Sequence, residues 1–303
     1  MFRGIYPPTV TFFKDDGSLD SGTNRTHIDF LIDSGVHGLY VLGTTGEFMH
    51  MTLKEREQHA VEVVQHVRGR VPVILGTGTP STRETVRLSR HAQGIGADAI
   101  AIITPYFWTL SEREVIAHLS SVANAVDIPV IVYNFPAYSN YNIASETLAE
   151  LVKEHGNIAG VKDSLDSLEH LRRRIDVVKA INPEFSVLTG SDGYLLALLE
   201  MGGDGSVPAT ANFSPDRHVR VFEAFKAGDY KTALDHLPEL LGLLDVYQVN
   251  GSFHTVIKDA MAMAGVAPIS SARQPALPLT AESRARLREI LATLNLLPTP
   301  TQR

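Results

Sequence analysis

The 303-residue sequence has no cysteine. Disulfides, thiolate zinc sites, iron–sulfur clusters and cysteine nucleophiles are excluded together. Positive charge is also short: 27 Lys and Arg face 34 Asp and Glu, a net −7 at pH 7. No basic field therefore favours nucleic acid or an anionic membrane as a partner. No run approaches 18 uncharged apolar residues, so no transmembrane helix is expected. The opening MFRGIYPPTV lacks the apolar stretch of a signal peptide, and a soluble, cytoplasmic protein is expected. The twelve histidines form no His-x-His or His-Glu-x-x-His pair, so no metal site is expected. The P-loop pattern and the Gly-x-Ser-x-Gly elbow are absent. Gly94-Ile95-Gly96-Ala97-Asp98-Ala99 loosely fits the dinucleotide fingerprint, but it precedes a strand-like run instead of following one.

What is present alternates. Short Val- and Ile-rich runs recur, starting at Gly4, Gly38, Pro72, Ala99, Pro129, Ala159, Ser186 and Gly205. Strands this continuously apolar are buried on both faces, as in parallel sheets. Helical stripes fill the gaps: Val115, Leu119, Val122 and Val126, then Leu168, Leu171, Ile175 and Val178. Thr52 with Glu55, Ser81 with Glu84, and Ser111 with Glu114 read as capping boxes. Eight β–α units predict an α/β fold, a (β/α)₈ TIM barrel, with a doubly wound open sheet as the alternative. After Pro215 only helical stripes remain: one more barrel helix, then a C-terminal helical extension. The expected division is a catalytic barrel over residues 1–225 and a helical bundle over 226–303, with the terminal PTPTQR frayed.

A barrel of this kind carries its chemistry at the strand C-termini. Lys162 follows the apolar run Ile158-Ala159-Gly160-Val161, where lost hydration disfavours an ammonium and lowers its pKa. A neutral amine there can attack a carbonyl. The competing reading is a lysine paired with a carboxylate at the barrel mouth. Lys258 is the rival amine, but it sits in a helical pattern. The turn Gly43-Thr44-Thr45-Gly46 offers N–H groups and hydroxyls to a carboxylate or phosphate, or is simply a tight turn that needs glycine. Tyr133, before an Asn-Phe-Pro turn, either shuttles a proton or packs. Gly203-Asp204-Gly205 falls where barrels often bind phosphate, which leaves a phosphosugar substrate open.

GTTGE from Gly43, YNFP from Tyr133, GVKDS from Gly160 and GGDG from Gly202, in this order, resemble the family of N-acetylneuraminate lyase and dihydrodipicolinate synthase. TPYFW, YNFPA and GGDG are most similar to its 2-keto-3-deoxygluconate aldolase branch. The resemblance spans nearly the whole chain. It implies a barrel with a C-terminal helical bundle, a homotetramer, and a lysine that forms a Schiff base with pyruvate or a 2-keto acid. No separate cofactor is implied. By position, Lys162 resembles the Schiff-base lysine and Tyr133 the proton relay. Thr44 and Thr45, with Gly46 completing their turn, resemble the grip on the pyruvyl carboxylate, and Thr45 counts among the catalytic set. Val207 matches a backbone position near that carboxylate. Ser164, Gly190, Asp192 and Gly193 match positions that face sugar hydroxyls in the neuraminate lyases. Gly193 lacks the side chain found there, which disfavours a long acyl-sugar.

Two departures bear on the reaction. Phe107 stands where the synthases have a relay tyrosine, and Phe cannot pass a proton. Tyr138 stands where they have an arginine for a second carboxylate, and Tyr offers no charged fork. The resemblance therefore implies a class I aldolase that cleaves a 2-keto-3-deoxy sugar acid to pyruvate and an aldehyde. The alternatives are a Schiff-base dehydratase, dihydrodipicolinate synthase, and a non-catalytic keto-acid-binding barrel.

Overall fold

A computed structural model of the chain describes residues 1–298. Eight strands follow in order: β1 Gly4–Ile5, β2 Leu39–Val41, β3 Val73–Gly76, β4 Ala99–Ile103, β5 Val130–Asn134, β6 Ile158–Asp163, β7 Ser186–Thr189 and β8 Gly205–Ser206. They coincide with the eight apolar runs of the sequence. All neighbouring pairs are parallel, in the order β1-β8-β7-β6-β5-β4-β3-β2. The remaining seam is closed by three bonds: His37 N–H donates to the Ile5 carbonyl at 2.9 Å, Tyr40 N–H to the Pro7 carbonyl at 3.0 Å, and Thr9 N–H to the Tyr40 carbonyl at 2.9 Å. The architecture is a TIM barrel, not an open sheet.

Alternation decides which side chains enter the barrel. Leu39, Val41, Val73, Leu75, Ile100, Ile102, Val130, Val132, Val161 and Val187 pack outward beneath the helices. Tyr40, Ile74, Ala99, Ala101, Ile131 and Leu188 fill the interior. On β6 the residue after outward Val161 must therefore point inward, and that residue is Lys162.

The helix starts behave as their sequences require. Thr52–Glu55 and Ser111–Glu114 form reciprocal capping boxes. Ser81 caps through its hydroxyl alone. Leu168, read as part of a buried stripe, is exposed, because it is the first residue of the helix Leu168–Lys179. After the last barrel helix, Pro215–Lys226, come helices Tyr230–Gly242, Phe253–Met263 and Ala281–Thr293. Their core is not separate: Ile257, Met261 and Leu291 share one cluster with Val10, Phe12, Ala209 and Phe213 of the barrel, and Ala233 and Leu240 another with Ile5, Leu195 and Phe222. The expectation of a frayed tail falls almost entirely outside the described residues.

One buried ion pair sits directly beneath the barrel mouth. Asp163, the last residue of β6, is fully buried. Its Oδ2 accepts from Arg174 Nε and His170 Nε2, both at 3.0 Å, and its Oδ1 from Asn134 Nδ2 and Leu165 N–H, both at 3.0 Å. Burial pushes the carboxyl up, but these partners outweigh it and hold it below the usual range. Removing one charge of such a pair strands the other. Asp163→Asn should lower the unfolding free energy by about 3–5 kcal/mol, measured in urea. The double variant Asp163→Asn/Arg174→Met should cost clearly less than the two single variants summed.

Candidate active site

A cavity of about 510 Å³ opens at the C-terminal ends of the strands, and Lys162 lies at its floor. Lys162 is 4% exposed. Its Nζ lies 4.1 Å from the centroid of the Tyr133 ring and 4.4 Å from that of Tyr40. Tyr133 and Lys162 are register partners across β5 and β6, which puts their side chains on the same face. Among the described residues no carboxylate lies within 4.0 Å of this amine, so the carboxylate-paired reading fails. Burial lowers its pKa to about 7, against a smaller upward pull from the charge of Asp192. Near neutral pH much of the amine is unprotonated.

Tyr133 is buried, and its phenol is pushed up to about 12 by desolvation, while the hydroxyls of Ser164 and Thr44 act the other way. Thr44 and Thr45 line the cavity with it. Their turn is compact: Gly46 N–H donates to the Gly43 carbonyl at 3.0 Å and Glu47 N–H to the Thr44 carbonyl at 3.0 Å. Glu47, in a left-handed conformation at φ 58°, is buried and pairs with Lys258 Nζ at 2.6 Å. Its other oxygen accepts from Arg273 N–H at 2.8 Å. His254 Nε2–H donates to the Thr44 carbonyl at 2.9 Å. The helix Phe253–Met263 and the loop at Arg273 thus clamp the threonine turn, and the rival amine Lys258 is committed to an ion pair.

Ser164, Gly190, Asp192, Val207 and Tyr138 also line the cavity. Gly190 is there for want of space: a Cβ would lie 1.9 Å from Ser164 Oγ and 3.3 Å from Lys162 Cε. Asp192 is 2% exposed, its Oδ2 accepting from Thr210 N–H at 3.1 Å, from the Thr210 hydroxyl, and from Tyr247 Oη at 2.9 Å. Tyr138 is 55% exposed at the rim, its ring 4.4 Å from that of Phe135.

Four expected positions lie elsewhere. Phe107 is 91% exposed, at φ 79°, and does not line the cavity. The loop after β4 turns its ring outward. Gly46 is buried beneath the turn: its carbonyl accepts from Thr11 Oγ1 at 2.7 Å, and a Cβ would meet the Thr9 carbonyl at 2.9 Å. It shapes the turn without facing the cavity. Gly193 faces Leu244, 2.9 Å from where its Cβ would be. Asp204 precedes β8, at the opposite barrel end, where its carboxylate meets Arg3 Nε at 3.1 Å and Lys179 Nζ at 2.7 Å. The GGDG segment is a staple there, not a phosphate cradle.

The far wall of the cavity carries no motif that marks it in the sequence. Leu244, Val246, Tyr247, Val249 and Phe253 all face the cavity. Their only sequence signal is the break in helical spacing across Val249-Asn250-Gly251-Ser252, between two stripes that read as ordinary helix core.

At the sixth strand of the barrel a buried lysine without a carboxylate partner thus stands beside a phenol and a clamped threonine turn. The chain matches the family model "Dihydrodipicolinate synthetase family" over residues 1–294, and it belongs to that family. It is 40% identical to "Probable 2-dehydro-3-deoxy-D-pentonate aldolase YjhH" of Escherichia coli (strain K12), covering 98% of this chain and 99% of that protein. The crystal structure of YagE in complex with pyruvate, a prophage protein from E. coli K12, superposes with a TM-score of 0.95. That match is at 41% identity and covers 98% of this chain and 99% of YagE. Dihydrodipicolinate synthase from Aquifex aeolicus superposes with a TM-score of 0.92 at 30% identity, over 99% and 100% of the two chains. The protein is a lyase of this family. Among the described residues no helix is long and apolar enough to cross a membrane, and no cluster of three or more potential metal ligands occurs.

The amine can be watched directly. With ¹³C-labelled lysine, the Cε signal lost in Lys162→Ala should titrate with a midpoint of about 7. Asp192→Asn removes the charge that favours the ammonium, so the midpoint should move lower. A midpoint near that of a solvated lysine would refute the dry-amine geometry.

Proposed function

We propose that the protein is a class I aldolase that reversibly cleaves a 2-keto-3-deoxy sugar acid to pyruvate and an aldehyde. The observation that carries this reading is the unpaired amine of Lys162 at a pKa of about 7, stacked against the Tyr133 ring. The names of its relatives support the substrate class: one is called a 2-dehydro-3-deoxy-D-pentonate aldolase, and another was solved with pyruvate.

The substrate carboxylate docks on the Thr44–Thr45 turn, near the Val207 backbone. Neutral Lys162 adds to C2, and the carbinolamine hydroxyl leaves as water with the proton of Tyr133. An iminium and a phenolate result. A phenol held near 12 is a weak acid alone. A cation forming beside it stabilises the phenolate, as do the hydroxyls of Ser164 and Thr44. The phenolate then takes the C4 hydroxyl proton, and the C3–C4 bonding electrons flow into the iminium. An aldehyde leaves, and a neutral enamine remains. Tyr133 returns its proton to C3, water adds to C2, and the carbinolamine collapses to pyruvate and the free amine. No metal or organic cofactor takes part in this scheme. General acid–base assistance of this kind contributes about 10²–10⁴-fold.

The dehydratase reading uses the same iminium but expels a hydroxyl from the sugar chain. The synthase reading needs a cation for a second carboxylate. Among the described residues lining the cavity, Lys162 is the sole basic side chain, and Tyr138 stands at the rim. This favours a polyol aldehyde over one that bears a carboxylate. The homotetramer implied by the resemblance belongs to the same reading, and the exposed Phe107–Trp108 pair offers it apolar surface.

Borohydride with pyruvate should add one reduced pyruvyl group to Lys162, found by peptide mass, and Lys162→Ala should abolish both the adduct and cleavage. Pyruvate release across a panel of 2-keto-3-deoxy acids should accompany an aldehyde. A dehydrated keto acid in its place would select the dehydratase. Gly190→Ala, which drives a methyl into Ser164 and Lys162, should cut kcat/KM by at least about tenfold while the protein stays folded.

A further inference from the structure

The far wall of the cavity comes from the short helical turn Leu243–Gln248 and the segment after it. Most of its side chains are apolar. Tyr247 is the exception: its hydroxyl donates to Asp192 Oδ2 at 2.9 Å, and its ring stacks on Phe253 at 5.8 Å and 20°. Thr210 supplies two further donors, its N–H at 3.1 Å and its hydroxyl. All three converge on the same carboxylate oxygen. None of the described groups donates to Oδ1, and Asp192 lines the cavity.

A carboxylate gripped through one oxygen is held in one orientation and presents the other to whatever enters. In a buried place that second oxygen demands a donor, and a ligand that brings none leaves it unpaired. A site built in this way rejects the analogue that lacks the hydroxyl.

We propose that Tyr247 is a positioning residue that sets substrate specificity, by fixing Asp192 so that its free oxygen accepts a hydroxyl on the carbon chain beyond the bond that breaks. The inference rests on the aldolase reading and narrows it. The preferred substrates are 2-keto-3-deoxy acids with at least one hydroxyl past C4. Keto acids ending in bare alkyl carbon at that place are disfavoured.

Tyr247→Phe keeps the ring and its stacking partner and removes only the donor. Two substrates of equal chain length separate the effects: 2-keto-3-deoxypentonate, hydroxylated at C5, and 4-hydroxy-2-oxopentanoate, with a methyl there. Both keep the C4 hydroxyl that the cleavage needs. The wild-type protein should prefer the pentonate in kcat/KM by about 100-fold or more. Tyr247→Phe should lower kcat/KM on the pentonate by about tenfold and change it less than about twofold on the oxopentanoate. Trapping of pyruvate on Lys162 and the melting temperature should hold. An equal fall on both substrates, no change on either, or loss of trapping overturns the role of Tyr247. Should the variant not fold, a wild-type preference near unity overturns it as well. Wild-type protein that traps pyruvate but cleaves neither acid refutes the aldolase reading, and this assignment falls with it.

Discussion

Withdrawing a lysine from water is costly unless a carboxylate accompanies it, and Lys162 is buried without one. The rest of the site is organised around that constraint. Strand alternation turns the side chain into the barrel, the rings of Tyr40 and Tyr133 cover the nitrogen, and Asp192 acts on it only from a distance. The conflict is met by a weakened hold on the proton: desolvation brings the pKa of the amine down to about 7.

Lys258 shows the other outcome. It is just as buried, and burial lowers its pKa too, but Glu47 lies 2.6 Å away. That pair spends its charge on architecture, since Glu47 closes the threonine turn and Lys258 belongs to a C-terminal helix. Two lysines with nearly equal burial therefore differ in pairing, and Glu47 is the carboxylate that one has and the other lacks. The Asp163–Arg174 pair belongs with Lys258: it anchors the end of β6 one residue past the amine, and so fixes where Lys162 begins.

Much of this was legible in the sequence, because it depends on local rules. Eight apolar runs gave eight strands, since a parallel sheet covered on both faces tolerates little else. Lys162 stood out because it closed such a run. Thr44, Thr45, Tyr133, Ser164, Gly190, Asp192 and Val207 converge because they share one end of the barrel. The misreadings came where position along a loop had to stand for direction in space. Phe107 lies beyond β4 as expected, but a left-handed backbone turns it outward. Gly46 lies under the turn it was thought to present. Asp204 was placed at the wrong end of β8, because a two-residue strand gives no pattern from which to read direction. The Tyr247 wall was invisible, since a helix that packs on a barrel and a helix that lines its mouth share the same apolar stripe.

Residues 244–256 close the cavity above an amine that sits at position 162. During synthesis the lysine emerges long before the segment that completes its enclosure. A partly made chain has the strands but neither the finished pocket nor the clamp on its threonine turn. Enclosure of the amine therefore arrives late, with docking of the final quarter of the polypeptide, and an unfinished barrel leaves Lys162 without its far wall.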